Sequence, residues 1–433
     1  MNIRKIVKKF IPRKLFKAIE PYGHLVESFI FNLINGFPGR GLKVIGVTGT
    51  NGKTTTAYMI HNMLQKAGYK TALLSTVAWG IGDDIEPQVQ HYTNVPAPEF
   101  MQRLKRIRAA KVDYVVLEIT SQALAQNRAW GVPIMLAVWT NLTHEHLDYH
   151  GTFERYRDAK RKLFKMCNSN KNGLKVGVIN ADDPSAEYFK SDVSKPLTYG
   201  IEQGDLRALN VKTTPSGNEY VVNYGGEDLK IKTKLPGSFN VYNSLAVVGV
   251  GISLSLTPDQ IQHGIESLTG VEGRMTRIDE GQDFDVIVDF AHTPDSFEKL
   301  FKDLAPVTKG RLIAMFGSAG RRDETKREVQ GELAGKYCDI VVVTEEDDRD
   351  ADGIKILEEI AQGAEKSGKI KDQNLFLIHD RTEAIKRTLE LAKSGDTVLL
   401  LGKGHEKTIE RANGAEPWNE IETTRKFLGK KPR

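Results

Sequence analysis

The sequence predicts an α/β protein in three parts: a short helical N-terminal arm, a P-loop central domain with a mostly parallel sheet, and a C-terminal Rossmann-like domain. Three observations carry this. Apolar runs of strand length alternate with helical spacing through most of the 433 residues. The glycine turn Thr48-Gly49-Thr50-Asn51-Gly52-Lys53-Thr54 stands between the apolar run Val44–Val47 and a helical pattern from Ala57 to Leu64. After Gly273 the strand–helix alternation starts again, so the expected parts are 1–42, 43–271 and 272–433.

The bulk numbers narrow the class. At 433 residues the chain exceeds one ordinary core. Its 40% hydrophobic and 27% charged residues describe a globular protein. The net charge of +5 is concentrated: Arg4, Lys5, Lys8, Lys9, Arg13, Lys14 and Lys17 occur in the first 17 residues without one acid. Elsewhere the charges nearly balance, so no nucleic-acid partner is expected. Cys167 and Cys338 are far apart, which points to a reducing cytoplasm and no disulfide framework. No apolar run reaches the ~20 residues of a membrane span.

In chain order, Ile3, Ile6, Val7, Phe10, Leu15, Phe16 and Ile19 outline one face of basic helices broken at Pro12 and Pro21. A helical arm packing on the next domain is the preferred reading, and a weak membrane-surface contact through residues 1–20 the alternative. Buried parallel strands are expected at 72–74, 114–118, 135–140 and 176–180. Between 197 and 235 short alternating runs with glycine turns predict a small antiparallel excursion. Helical patterns return at 241–255 and 258–268, and five further strands are expected at 286–290, 312–317, 340–344, 375–378 and 397–402.

Chemistry gathers at strand ends, where open α/β sheets bind ligands. In the first turn, glycines let backbone N–H groups crowd round phosphates at a helix N-terminus. Lys53 would reach the outer phosphates and the Thr54 hydroxyl a magnesium ion. Val47 stands where the usual motif has its first glycine. Glu118, ending a strand, is a magnesium-ligand candidate, with an N-cap acid as the plainer role. His144, Glu145, His146, Asp148 and His150 crowd one loop, but their spacing fits no common zinc motif.

Taken together, these motifs resemble the Mur ligases. The matches are Thr48–Thr54, Glu118-x-x-Ser121, Thr140-Asn141-Leu142, His146-Leu147-Asp148-Tyr149-His150-Gly151 and Tyr156-x-x-Ala159-Lys160. Phe239-Asn240-Val241-x-Asn243, Gly273-Arg274-Met275, Asp289-x-Ala291-His292-Thr293-Pro294 and Gly402-Lys403-Gly404-His405-Glu406 continue the series. The set looks most like the enzymes that add the third amino acid of the peptidoglycan stem.

The resemblance implies an ATP- and Mg²⁺-dependent amide ligase in the cytoplasm, with a UDP-muramoyl dipeptide and a diamino acid as substrates. Gly49, Thr50, Asn51, Gly52, Lys53, Thr54, Thr55, Asn240, Asn243, Arg274, Asp289 and His292 would meet ATP. Thr54, Glu118, His146 and a carbamylated Lys160 would serve the metals, with Lys53, Glu118, His146 and Lys160 as the catalytic set. Thr93, Asn94, Ser121 and Arg128 match positions that hold the muramoyl peptide. Arg322, Glu346, Asp347, Arg349, Gly402 and Glu406 would hold the amino acid. Without the motif, Lys160 reads as a lysine on a solvated helix face, the asparagines as caps, and Arg274 and Arg349 as salt-bridge partners.

Several departures mark this chain. Relatives selecting meso-diaminopimelate carry Asp-Asn-Pro-Arg, where Glu346-Asp347-Asp348-Arg349 stands here. Arg349 suits a distal carboxylate and the acids suit an ammonium, so diaminopimelate is expected over lysine. Gln122 replaces a histidine, Phe290 a tyrosine and Asn94 a threonine. The domain that grips the UDP end is missing or reduced to residues 1–42. The rivals are a ligase of the superfamily with another carrier, of folyl-polyglutamate or amino-acid-polymer type, and a nucleotide-binding partner without turnover. A monomer is the expected state.

Overall fold

The computed structural model describes residues 13–88, 93–214 and 217–429. Its first sheet has eleven strands: β1 (Val44–Thr48), β2 (Thr71–Leu74), β3 (Ala78–Ile81), β4 (Asp84–Pro87), β5 (Tyr114–Glu118), β6 (Ile134–Trp139), β7 (Val176–Asn180), β8 (Lys195–Gly200), β9 (Leu206–Thr214), β10 (Gly217–Tyr224) and β11 (Glu227–Thr233). Their order is β11-β10-β9-β8-β7-β6-β1-β5-β2-β3-β4. Neighbours from β9 to β2 run parallel, and both edges end in antiparallel pairs.

Burial explains the two strand styles. Every residue of β1 and β6 is buried, because helices cover both faces of a parallel sheet. Ile45 and Val47 point into one core and Val44 into the other. In β11 the pattern alternates, with one face open to water. The excursion expected at 197–235 is corrected in one respect: β8 pairs parallel with β7 and β9 with β8, so it prolongs the main sheet. The Ser238–Ser253 helix is apolar nearly all round and buried, as suits a helix inside the molecule.

The second sheet comprises β12 (Thr276–Ile278), β13 (Asp285–Asp289), β14 (Leu312–Phe316), β15 (Ile340–Val343), β16 (Leu375–Leu377) and β17 (Thr397–Leu401). It is ordered β12-β13-β17-β14-β15-β16, parallel except for β12. Its alternate residues feed two cores, Ala314 and Phe316 into one, Ile313 and Met315 into the other. A hairpin of β18 (Thr408–Arg411) and β19 (Gly414–Pro417) follows.

At the N-terminus one helix runs from Arg13 to Ile34 with Pro21 inside it, which corrects the expected break there. A proline inside a helix removes one N–H donor and strains the turn before it, but the helix resumes. The helix rests on the first domain, with Phe31 against its core. Residues 1–12, with Pro12, the bases Arg4 to Lys9 and the apolar Ile3, Ile6, Val7 and Phe10, lie outside the described residues. Ile19 is exposed. The two sheets share one cleft of about 1160 Å³, lined by the loops after β1, β5, β6, β13 and β17.

Candidate active site

The turn after β1 is held by its neighbours. Thr50 N–H donates to Asn141 O at 2.9 Å and Asn51 N–H to Asn141 Oδ1 at 2.9 Å. Thr140 Oγ1 donates to Asn51 O at 2.6 Å. Glycine is required twice. Gly52 has φ +83, and a Cβ there would lie 2.2 Å from Asn243 Oδ1; at Gly49 a Cβ would lie 1.8 Å from Thr140 Oγ1. The Lys53–Lys66 helix begins at Gly52 without a side-chain cap, so its first-turn N–H groups suit an anion. Lys53 Nζ donates to Thr50 O at 2.7 Å, and Thr55 lines the cleft beside it.

Oxygen donors for a hard cation converge here. Thr54 Oγ1 lies 3.1–3.2 Å from both Glu118 carboxylate oxygens, which also receive the Thr76 N–H and hydroxyl at 2.9 Å. This donor set and the glycine cradle fit a magnesium nucleotide. His146 has a left-handed backbone at the start of a short helix and faces Glu145 at 3.7 Å. Burial pushes its pKa down, and Lys160 and Lys53 add to this against the pull of Glu145. Burial would raise Glu145, yet His146 and His292 hold its carboxyl well below the usual range.

Lys160 is not on a solvated face. It is 1% exposed, on the inner face of the Phe153–Ser169 helix, and its Nζ donates to Gly49 O at 2.5 Å. Burial and the Lys53 ammonium hold its amine well below the usual lysine pKa.

The second lobe supplies the facing wall. Arg274 Nη2 donates to Thr54 Oγ1 at 3.3 Å, and its guanidinium lies 4.5 Å over the Phe290 ring. Phe290 thus keeps an aromatic ring under Arg274. Asp289 accepts the N–H groups of Met275 and Ala291, both at 2.7 Å; burial raises its pKa, and Arg274 opposes this. His292 Nε2 lies 3.2 Å from Glu145 Oε1, and Asn51 Nδ2 donates to Asp295 Oδ2 at 2.9 Å. Asn240 and Asn243 are buried, bonded to each other at 2.9 Å beside Gly52.

On the acceptor side, Thr93 Oγ1 is 2.8 Å from Thr76 Oγ1. Asn94 is committed to backbone: its amide donates to Glu118 O and its oxygen accepts from Thr120 N–H. Arg128 Nη1 donates to Asn94 O at 3.3 Å. Ser121 Oγ is 3.0 Å from His150 Nε2, while Gln122 lines the cleft.

The amino-acid end is a charge lattice. Lys403, buried after β17, bonds Asp347 at 2.8 Å and Glu406 at 2.5 Å, and these acids raise its pKa against burial. Arg349 Nε donates to Glu410 Oε2 at 2.8 Å and its Nη1 to Gly320 O at 2.6 Å; Asp347 is 3.7 Å away. Burial raises the Glu346 carboxyl, with Lys326 and His292 opposing. Gly402 backs Glu346 rather than the cleft: a Cβ there would lie 2.9 Å from Glu346 Oε2. Arg322 is exposed at the cleft rim.

Sequence reasoning did not single out Thr76, Tyr156, Glu145, Lys403 or Glu410 as site residues. Tyr156 OH is 3.0 Å from Thr50 Oγ1. Tyr156 and Lys403 stood inside quoted motifs, and Glu145 in the histidine-rich loop weighed as a zinc site. Glu410 stood in neither, being brought to Arg349 only by β18.

Comparison with known proteins agrees with this geometry. Residues 47–251 match the Mur ligase middle domain, and residues 273–404 the Mur ligase glutamate ligase domain. The chain is 41% identical over 407 residues to a UDP-N-acetylmuramyl-tripeptide synthetase of Roseiflexus sp. (strain RS-1), covering 91% of this chain and 80% of the relative. It is 40% identical over 374 residues to UDP-N-acetylmuramoyl-L-alanyl-D-glutamate–2,6-diaminopimelate ligase 1 of Clostridium acetobutylicum, covering 85% of this chain and 74% of the relative. A solved structure of a ligase of the latter name superposes with a TM-score of 0.63 at 29% identity, over 95% of this chain and 82% of the other. The chain therefore belongs to the Mur ligases, ATP-dependent amide-forming ligases, and within them is most similar to the MurE type.

Proposed function

We propose that the chain joins a diamino acid, meso-diaminopimelate in preference to lysine, to the D-glutamate carboxylate of UDP-N-acetylmuramoyl-L-alanyl-D-glutamate, through an acyl phosphate. The observation that carries this is the convergence of Lys53, Thr54 and Glu118 with Arg274, Asp289 and His292 across one cleft. A carboxylate is a poor electrophile because its oxygen is a poor leaving group. Transfer of the γ-phosphoryl group to that oxygen, with ADP leaving, makes phosphate the leaving group instead. The incoming amine then attacks the acyl carbon, phosphate departs and the nitrogen loses a proton.

The protein's part in such a reaction is positioning and charge compensation. Lys53 and Arg274 face the transferred group from the two lobes. Thr54, Glu118 and His146 are the residues that would hold magnesium, which supplies charge neutralisation when bound. Lys160 fits carbamylation: a buried amine whose pKa is held well below the usual lysine value by burial and the Lys53 ammonium can, in its neutral form, attack carbon dioxide, forming an N–C bond and releasing a proton. The product is an anion where a lysine stood, suited to a second cation. At the other end, Arg349 would read the distal carboxylate of diaminopimelate, with Glu410 and Asp347 holding the guanidinium in place.

The test is phosphate release from ATP with UDP-muramoyl dipeptide, comparing diaminopimelate, lysine and ornithine. Release that needs both the dipeptide and a diamino acid supports the reading. Release with glutamyl-folate instead, or with no acceptor at all, overturns it. For Lys160→Ala we expect loss of activity with partial rescue by acetate or formate; full activity without rescue would remove the carbamate.

A further inference from the structure

The Arg13–Ile34 helix lies on its domain through a mainly polar side that also carries Phe31. His24, Ser28 and Asn32 are buried. Ser28 Oγ donates to Asn127 O at 3.3 Å, Asn32 Nδ2 to Trp130 O at 3.1 Å, and Asn127 Nδ2 to Pro21 O at 3.4 Å. The apolar side faces water. Tyr22 is 69% exposed, Val26 56%, Leu33 59% and Ile34 71%, with Ile19, Phe29 and Ile30 each above 40%. Seven of the fourteen exposed large apolar residues among the described residues sit on this one helix. Their spacing, 19, 22, 26, 29, 30, 33, is one helical stripe. A contiguous apolar face of this kind marks an interaction surface rather than chance exposure.

Charge identifies what would cover it. The two acids of the helix are turned away from the stripe: Glu27 pairs with His24 at 3.3 Å, and Glu20 lines the cleft, where the Tyr149 hydroxyl reaches it at 3.5 Å. Directly before the stripe, the first 17 residues hold seven bases and no acid. An anionic lipid surface satisfies both features, taking the apolar stripe at the acyl boundary and the bases at the headgroups. No helix among the described residues is long and apolar enough to cross a membrane, so such a contact is in-plane. We propose that this face docks the protein on anionic membranes. Since Glu20 of the same helix lines the cleft, docking sets the acceptor end of the cleft close to the lipid.

The experiment is vesicle flotation with the full chain, using phosphatidylcholine alone or with about 40% phosphatidylglycerol. We expect at least a ~10-fold larger bound fraction on the anionic vesicles. The excess should collapse as salt rises from about 0.1 M to about 1 M, where the screening length shrinks from ~10 to ~3 Å. The double variant Val26→Asp with Leu33→Asp should lose binding by ~10-fold or more, while turnover with soluble substrates stays unchanged. Lys8→Gln and Lys9→Gln should each lower binding by roughly 5-fold. Equal binding to both vesicles, or binding indifferent to the Asp pair, overturns the proposal. So does a concentration-dependent dimer that the Asp pair dissolves while lipid is ignored, which would give the face to a second copy. Hydrogen-exchange protection of residues 1–12 that the Asp pair abolishes in lipid-free, lipid-indifferent protein would give it to the chain itself.

Discussion

The two ends of the cleft are built on different principles. At the nucleotide end, one contiguous turn does most of the work through backbone geometry, with Gly49 and Gly52 where no Cβ fits. At the other end, residues from two loops and strand β18 form a lattice of charges: Asp347, Lys403, Glu406, Arg349 and Glu410. Backbone geometry tolerates little change and serves a ligand that never varies. A charge lattice can be retuned by one side chain, which suits the end of the cleft proposed to select the amino acid.

That contrast can be broken in four ways. The largest effect should come from Lys53→Ala, which removes the ammonium proposed to face the transferred phosphoryl group: kcat for phosphate release should fall by roughly 10²–10³-fold or more. A loss below ~10-fold would mean the turn does not carry the charge. Next is Gly52→Ala, which places a Cβ against Asn243 Oδ1 at φ +83. A strain of about 1–3 kcal/mol should raise the KM for ATP by ~10-fold, and adding Asn243→Ala should recover part of it. No recovery would put the cost in the backbone alone.

A smaller change is expected at the other end. Glu410→Gln removes the closest carboxylate that holds Arg349 in place, and the diaminopimelate-to-lysine ratio of kcat/KM should fall by ~3–10-fold. Arg349→Ala should lower the same ratio; equal losses for both amino acids would discard its role in selection.

The smallest effect is on stability and lies away from both ends. His61, on the buried face of the Lys53–Lys66 helix between Thr71 and Gly82 O, has its pKa pushed down by burial to about 4. Between pH 6.5 and 4 the unfolded chain therefore binds the proton that the native chain refuses, so stability rises with pH across that window and is lost as pH falls through it. The slope is at most ~1.4 kcal/mol per pH unit, and His61→Gln should flatten it in urea titrations at stepped pH. An unchanged slope would assign the acid sensitivity elsewhere.

How far the sequence could be read follows the same contrast. The turn and its flanking strand and helix were legible because their pattern is local, and the buried parallel strands because both faces are covered. The short strands β3, β4, β12, β18 and β19 went unseen, because they lack the unbroken apolar run that made the equally short β2, β15 and β16 readable. The candidate residues at 118, 146 and 160 stand around the turn, but the reason Lys160 is special, its complete burial against Gly49 O, needed coordinates. Arg349 was readable as a charged residue, whereas its tie to Glu410, 61 positions on, was not. The inverted N-terminal helix was the least legible. Its amphipathic spacing predicts a buried apolar face, and only the polar contacts of Ser28 and Asn32 reverse it.

The seat of Lys160 carries a metabolic corollary. On the proposed carbamylation, a side chain that captures a dissolved gas before it acts, and that is buried against Gly49 O, would tie the rate of the enzyme to inorganic carbon as well as to its substrates. Cells depleted of bicarbonate would then slow at this step with nucleotide and amino acid in ample supply, and a carbonate-free preparation should recover its full rate only after a lag.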